Sequence, residues 1–163
     1  MRLTVVEPPS EDRVDREIEH LYRTERANML RLAHLLTGSP HIGEELVQEA
    51  FLKVQRNWAS ALNPPAYLRT TVVNLCRSYH RSNAIRRDRD EAAVDVHLDP
   101  EIDETWKALA TLNSRQRTAL VLRYYEDLPV DEIARVMSYR PGTVKSLIHR
   151  GLASLRENLP HDE

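Results

Sequence analysis

The thirty residues from Val130 to Leu159, VDEIARVMSYRPGTVKSLIHRGLASLRENL, hold the side chains best suited to chemistry, and the chemistry is recognition of DNA. Arg140, Thr143, Lys145, Ser146, His149 and Arg150 share one side of a helical wheel. All are donors suited to phosphate oxygens and to the acceptor edges of bases in a major groove. Two helices have to hold them there. Ile133, Ala134 and Met137 give the first an apolar face, with the small Ala134 where the second must cross closely. Ser138 to Arg140 make the turn, and Pro141 suits the first turn of the next helix, where no backbone N–H is needed. Val144, Ile148, Leu152 and Leu155 follow at near-helical spacing and predict one buried stripe. The pattern is a helix-turn-helix. A plain two-helix corner with a solvated basic face has the same hydrophobic spacing, so charge has to decide between them. Ala134 to Arg156 contains no acid and carries Arg135, Arg140, Lys145, Arg150 and Arg156, whereas the whole chain has a net charge of −2. Such segregation is the footprint of a nucleic-acid partner.

A chain of 163 residues, 41% hydrophobic and 29% charged, has the composition of a soluble globular protein with modest cores. Pro and Gly are sparse within its periodic segments and no strand alternation is present, so the expected class is all-α. The N-terminal MRLTVVEPPSEDR has a very short apolar run and turns acidic, which argues against a signal peptide. No stretch is apolar enough to span a membrane. A cytoplasmic protein is expected. One cysteine, Cys76, excludes an internal disulfide and a thiolate zinc cluster. Its place on an apolar stripe makes it a small buried hydrophobe.

Charge also divides the chain. Residues 66–87 carry Arg69, Arg77, Arg81, Arg86 and Arg87 with no acid, and residues 88–105 carry eight acids against Arg89 alone. Few large apolar residues precede Trp106 in that acidic stretch, so it reads as a flexible linker. The predicted organisation is a three-helix domain over 12–87, an acidic linker over 88–104, and a four-helix domain over 105–159. Helix one follows from Val14, Ile18, Leu21, Tyr22, Met29, Leu32, Ala33 and Leu36, with a possible break near Thr24 and a stop at Gly38. Ser39 and Pro40 begin the second, whose core face is Ile42, Leu46, Val47, Ala50, Phe51, Val54 and Trp58. Asn63 and Pro64 begin the third, with Leu68, Val72, Leu75, Cys76 and Tyr79 inward and Thr70, Asn74, Arg77 and Arg81 opposite. Beyond the linker, Trp106, Leu109 and Leu112 predict a short helix and Thr118 to Tyr125 another, both packed on the helix-turn-helix.

Three segments carry a family resemblance: EELVQEAFLKVQRNW at 44–58, NPPAYLRTTVVNLCRSYHR at 63–81, and residues 112–159 from LNSRQRTALVL onward. In this order around an acidic linker they resemble the two conserved regions of bacterial extracytoplasmic-function sigma factors, sigma-70 superfamily, over nearly all of 14–159. The NP-x-AY-L-R run is most similar to the SigE-like actinobacterial group. The resemblance implies regions 2 and 4 of such a factor, which binds core RNA polymerase, directs it to promoters and assists their opening. It implies docking on the clamp of the polymerase largest subunit through Glu45, Gln48 and Glu49, and contact of the second domain with the flap. It further implies handling of the minus-10 element by Trp58, Ser60, Asn63, Arg69, Thr70, Asn74, Arg77 and Arg81, where a basic track holds the strand while aromatic and amide groups trap unstacked bases. Tyr67 also stands at that loop, where it fits a structural hinge. The minus-35 element falls to Arg140, Thr143, Lys145, Ser146, His149 and Arg150. No catalytic residue, metal or cofactor is implied, and an anti-sigma factor is left open as a further partner. Two departures limit the transfer. The loop before the third helix is shorter than in the best-known members, so a pocket for a flipped base does not carry over. Leu147 stands where relatives often have Arg, which removes one contact from the reading helix. The linker has two open readings, a carboxylate strand threaded toward the RNA path or a solvated tether.

Two other functions compete. A conventional helix-turn-helix regulator explains 130–159 equally well, but explains neither the basic stripe in the first half nor EELVQEAF. A metal-dependent enzyme could draw on His41 and Glu45, at i and i+4, with His34 nearby as a surface residue. No HExxH, paired cysteines, glycine-rich phosphate loop or nucleophile elbow accompanies them.

Overall fold

The computed structural model describes residues 10–86 and 100–159, which form seven α-helices and two short irregular turns, with no strand among the described residues. Residues 88–99 of the expected linker and the N-terminal nine residues lie outside that range.

Helix α1 runs Glu11–Thr37 without interruption. Glu11 and Asp12 suit its positive N-terminal end, and exposed i,i+4 pairs such as Arg13–Glu17 line its first half. The expected break at Thr24 does not occur. Its hydroxyl donates back to the carbonyl of His20 at 2.9 Å, which accommodates a β-branched polar residue inside the helix. Gly38 ends α1 in the left-handed region at φ 74°, its N–H donating to the carbonyl of His34. Ser39 then caps α2, Pro40–Arg56, by accepting from the Ile42 N–H at 3.2 Å. A 3-10 turn, Trp58–Ser60, leads to α3, Pro64–Arg86, where Asn63 Oδ1 accepts from the Ala66 N–H. Leu32, Ala33 and Leu36 of α1 meet Val47, Ala50 and Val54 of α2 and Leu68, Val72, Val73 and Cys76 of α3 in a closed core. Gly43 lets α2 cross close to Ala33 and the His34 backbone, both 3.4 Å from where its Cβ would lie. His34, expected at the surface, is buried in this crossing.

The second bundle opens with α4, Pro100–Leu109, so residues 100–104, expected to belong to the linker, are helical. Asn113 caps α5, Ser114–Leu120, by accepting from the Gln116 N–H at 2.9 Å. One turn of π-helix, Val121–Tyr125, continues it. The predicted single helix from Thr118 to Tyr125 is therefore two elements, and the wider turn puts Val121 and Leu122 inside and Tyr124 outside. Helices α6, Val130–Met137, and α7, Pro141–Asn158, complete the fold. Arg117 is buried, and its guanidinium donates to the carbonyls of Leu109 and Leu112 while lying 4.5 Å over the Trp106 ring.

The two bundles share a continuous core, α1 packing on α4 and the π turn, and α3 on α6. Trp106 seats on the bare backbone of Gly38, where an added Cβ would lie 2.1 Å from the ring. The Leu36 carbonyl accepts from Arg117 Nη1 at 3.3 Å and from His80 Nε2.

Candidate nucleic-acid interface

Helix α7 reaches its place through a tight turn. Ser138 adopts the left-handed conformation at φ 56° to end α6, and Arg140 takes the extended conformation that precedes Pro141. Val144 is fully buried against α6, and Gly151 meets α5 so closely that a Cβ there would lie 2.9 Å from Leu120 Cδ1. Of the predicted buried stripe only Val144 is fully enclosed. Ile148, Leu152 and Leu155 are half-buried, because α7 lies along the edge of its bundle rather than through it. Arg140, Thr143, Lys145, Ser146, His149 and Arg150 are all exposed. Leu147, expected to leave the reading helix one contact short, is half-buried and packs against the core, so its apolar side chain serves the fold.

The polar side of α3 is arranged otherwise. Asn74 and Arg81 are exposed, the latter donating to Ser78 Oγ at 3.2 Å, and Thr70 is half-buried. Arg69 donates through Nη2 to Glu132 Oε1 at 2.9 Å and pairs through Nη1 with Glu126 Oε2 at 3.6 Å. Arg77 donates to the carbonyl of Met137 at 2.6 Å and to the Tyr139 hydroxyl at 3.0 Å, its guanidinium 5.0 Å from that ring's centre. Trp58 is half-buried against the core, Ser60 Oγ donates to the carbonyl of Asn57, and Asn63 is occupied as a helix cap. The structure thus keeps the loop residues near the start of α3 but gives each a local task. Leu62, between them, is fully exposed and was not singled out by periodicity, since it lies in no helix. Tyr67 is 37% exposed one turn into α3.

Glu45, Gln48 and Glu49 are exposed on α2, where Glu45 pairs with His41 at 3.2 Å and Glu49 with Lys53 at 3.5 Å. Leu52, half exposed, extends this face by the i+3 and i+4 spacing from Glu49 and Gln48, a signal legible in the sequence and overlooked there. His41 Nε2 and Glu45 Oε1 lie 3.2 Å apart, and no group of three or more His, Cys, Asp or Glu among the described residues is placed to hold a metal. No described helix is long and apolar enough to cross a membrane.

Two family models match the chain: sigma-70 region 2 over residues 21–85 and sigma-70 region 4 over residues 102–155. The RNA polymerase sigma-E factor of Streptomyces avermitilis is 30% identical over 152 residues, covering 88% of this chain and 85% of its own. The ECF RNA polymerase sigma factor SigE of Mycolicibacterium smegmatis is 29% identical, covering 86% of this chain and 61% of its own. Among solved structures, the sigma factor RpoE of Bartonella quintana, in complex with the anti-sigma factor NepR, superposes with a TM-score of 0.76 at 23% identity over 91% of this chain and 99% of that one. CnrH, in complex with the cytosolic domain of CnrY, gives 0.69 at 19% identity over 91% of each chain. These likenesses carry the fold.

Proposed function

The chain belongs to the extracytoplasmic-function group of RNA polymerase sigma factors, and we propose that it applies α2 to core polymerase, α3 to the minus-10 element and α7 to the minus-35 element. As an alternative sigma factor it binds core RNA polymerase, directs it to specific promoters and assists promoter opening. The division proposed is region 2 over 12–87, a linker over 88–104 and region 4 over 105–159. The observation that carries the assignment is the α7 face, where six donors stand exposed along one helix whose opposite side is held by Val144 and Gly151. On α3, Asn74 and Arg81 offer an amide and a cation to a strand running along the helix, with Arg69, Thr70 and Arg77 beside them and Trp58, Ser60 and Asn63 at its head. Glu45, Gln48 and Glu49 present a polar face to the polymerase clamp, joined by Leu52, and the second domain meets the flap. Catalysis is left to the polymerase, in the cytoplasm, and an anti-sigma protein is a further candidate partner, of the kind with which RpoE was solved.

Purified protein added to core enzyme is expected to give promoter-specific run-off transcripts and permanganate-reactive thymines around the start site, with the opening signal reduced by Asn74→Ala. Glu49→Lys is expected to impair co-elution with core enzyme while helicity by circular dichroism stays constant. Tight sequence-specific DNA binding without polymerase, with no co-elution and no transcript, identifies a conventional regulator instead.

A further inference from the structure

We propose that the cleft between α1 and the second bundle is a binding site for a single-chain amphiphile with an anionic head, the chemistry of a free fatty carboxylate. Leu35 of α1, Leu109 of α4, Leu120 and Val121, and Leu152 and Leu155 of α7 line a cavity of about 300 Å³. That is room for a chain of roughly ten methylenes, each taking about the volume of one liquid water. A helix, about 10–12 Å across with its side chains, is too wide to enter it. The π turn makes the opening. Its wider register buries Val121 and Leu122 and sets Tyr124 and Tyr125 along the rim, Tyr124 being 62% exposed. Leu152 and Leu155 remain half-buried beside them. An apolar chain lying here would complete the burial that α7 leaves unfinished.

The head is set by Arg31, one turn before Leu35 on α1. The other arginines of this helix already have acceptors: Arg13 has Glu17, Arg23 has Glu19, Arg26 has Glu44, and Arg16 has the Asp12 carbonyl. Arg31 meets no carboxylate among the described residues. It donates through Nε to the Tyr125 hydroxyl at 3.1 Å, and that hydroxyl donates in turn to Asn28 Oδ1 at 3.0 Å. Glu126, the acid beside Tyr125, is taken up by Asn28 and Arg69. The guanidinium is therefore anchored by one nitrogen at the rim of an apolar cleft, in an exposed side chain whose two terminal nitrogens point to no acid of the chain. A planar fork presented in this way matches a carboxylate and has nothing to offer a cationic head. The polar side chains of the lining itself, Thr105 and the two tyrosines, are uncharged at neutral pH. Charge complementarity thus selects the acid among chains of equal length.

The test uses the purified full chain and sodium decanoate kept below its micelle concentration, with decanol as the uncharged match. Calorimetry is expected to show saturable one-to-one binding of decanoate and weaker binding of decanol, and the unfolding midpoint is expected to rise with decanoate. Arg31→Gln is expected to weaken decanoate about tenfold and leave decanol unchanged. Tyr124→Ser, at a side chain too exposed to burden the fold, weakens both. Neither residue belongs to the faces proposed for DNA or polymerase, so promoter-specific transcription persists in both variants and the result is independent of that reading. Absence of saturable binding overturns the site. Decanoate binding unmoved by both substitutions overturns this cleft as its location, and decanol bound as tightly as decanoate overturns the role of Arg31. Co-sedimentation with phosphatidylglycerol vesicles in place of saturable decanoate binding makes the occupant a lipid surface and overturns the free carboxylate.

Discussion

Helices α3 and α7 are both basic and both proposed to meet DNA, yet the fold treats them oppositely. Four side chains of α3, Leu68, Val72, Val73 and Cys76, are sealed in the first core, and its polar side is covered in part by α6. On α7 only Val144 and Gly151 are fully enclosed, and its polar side stands in solvent along its length. A helix gripped on two sides keeps its orientation whatever happens at one residue. One leaning on two points depends on each of them, so damage to the core should reach DNA binding far more readily through α7 than through α3.

The severest way to break that contrast is Gly151→Leu. A side chain there runs into Leu120, itself buried, and overpacking of this kind costs roughly 1–3 kcal/mol or more. Promoter-dependent transcription is expected to be lost while co-elution with core enzyme persists, because α2 is untouched; retention of full activity would refute the dependence of α7 on this contact. A milder pair sharpens the point. Val72→Ala and Val144→Ala each empty a fully buried site and are expected to lower unfolding stability by about 1.5–3 kcal/mol. Only Val144→Ala should weaken minus-35 binding in proportion, as measured by holoenzyme footprinting. Smaller again is the effect of single donors. Lys145→Ala is expected to weaken all promoters similarly and reduce the salt slope by about one, whereas Arg150→Ala costs ~1–3 kcal/mol at one base position. If both behaved alike across a panel of promoter variants, α7 would be gripping backbone alone.

Least visible near neutral pH is Cys76. Burial pushes its thiol from 9.0 up to about 12. The folded state holds a proton that the unfolded chain releases near its ordinary value of 9.0, so its share of stability is intact below that value and is lost as pH rises toward 12. Unfolding midpoints should be flat in this respect from pH 6 to 8, with no reaction toward a thiol reagent until the chain unfolds. Rapid labelling of the native protein would mean that the α3 stripe is looser than its packing indicates.

How much of this was legible follows from the range of the forces. Caps and stripes are local, so Ser39, Asn63, Gly38 and the α6–α7 turn could be read from neighbouring residues, and the helical class with them. Thr24 misled because propensity marks it as a breaker and an i−4 hydrogen bond overrides propensity. The two sections of Thr118 to Tyr125 were hidden because a π turn differs from an α turn by one residue of register, which hydrophobic spacing hardly feels. Arg69 with Glu126 and Glu132, and Arg77 with Tyr139, join residues about sixty apart. Periodicity carries no information about such pairs. The same holds for Leu147, whose inward lean depends on how α7 sits on its bundle.

One backbone oxygen ties these regions together. The carbonyl of Leu36, in the last turn of α1, accepts from His80 of α3 and from Arg117 of α5. Helix ends ordinarily fray first, and their amides trade hydrogen for deuterium within the fastest class. Here the end of α1 is clamped by both domains at once, so the amide of Gly38, donating to His34 one turn back, should exchange as slowly as the core in the intact protein. Its exchange rate reports whether the contact between the two domains holds, readable by mass spectrometry with and without core polymerase.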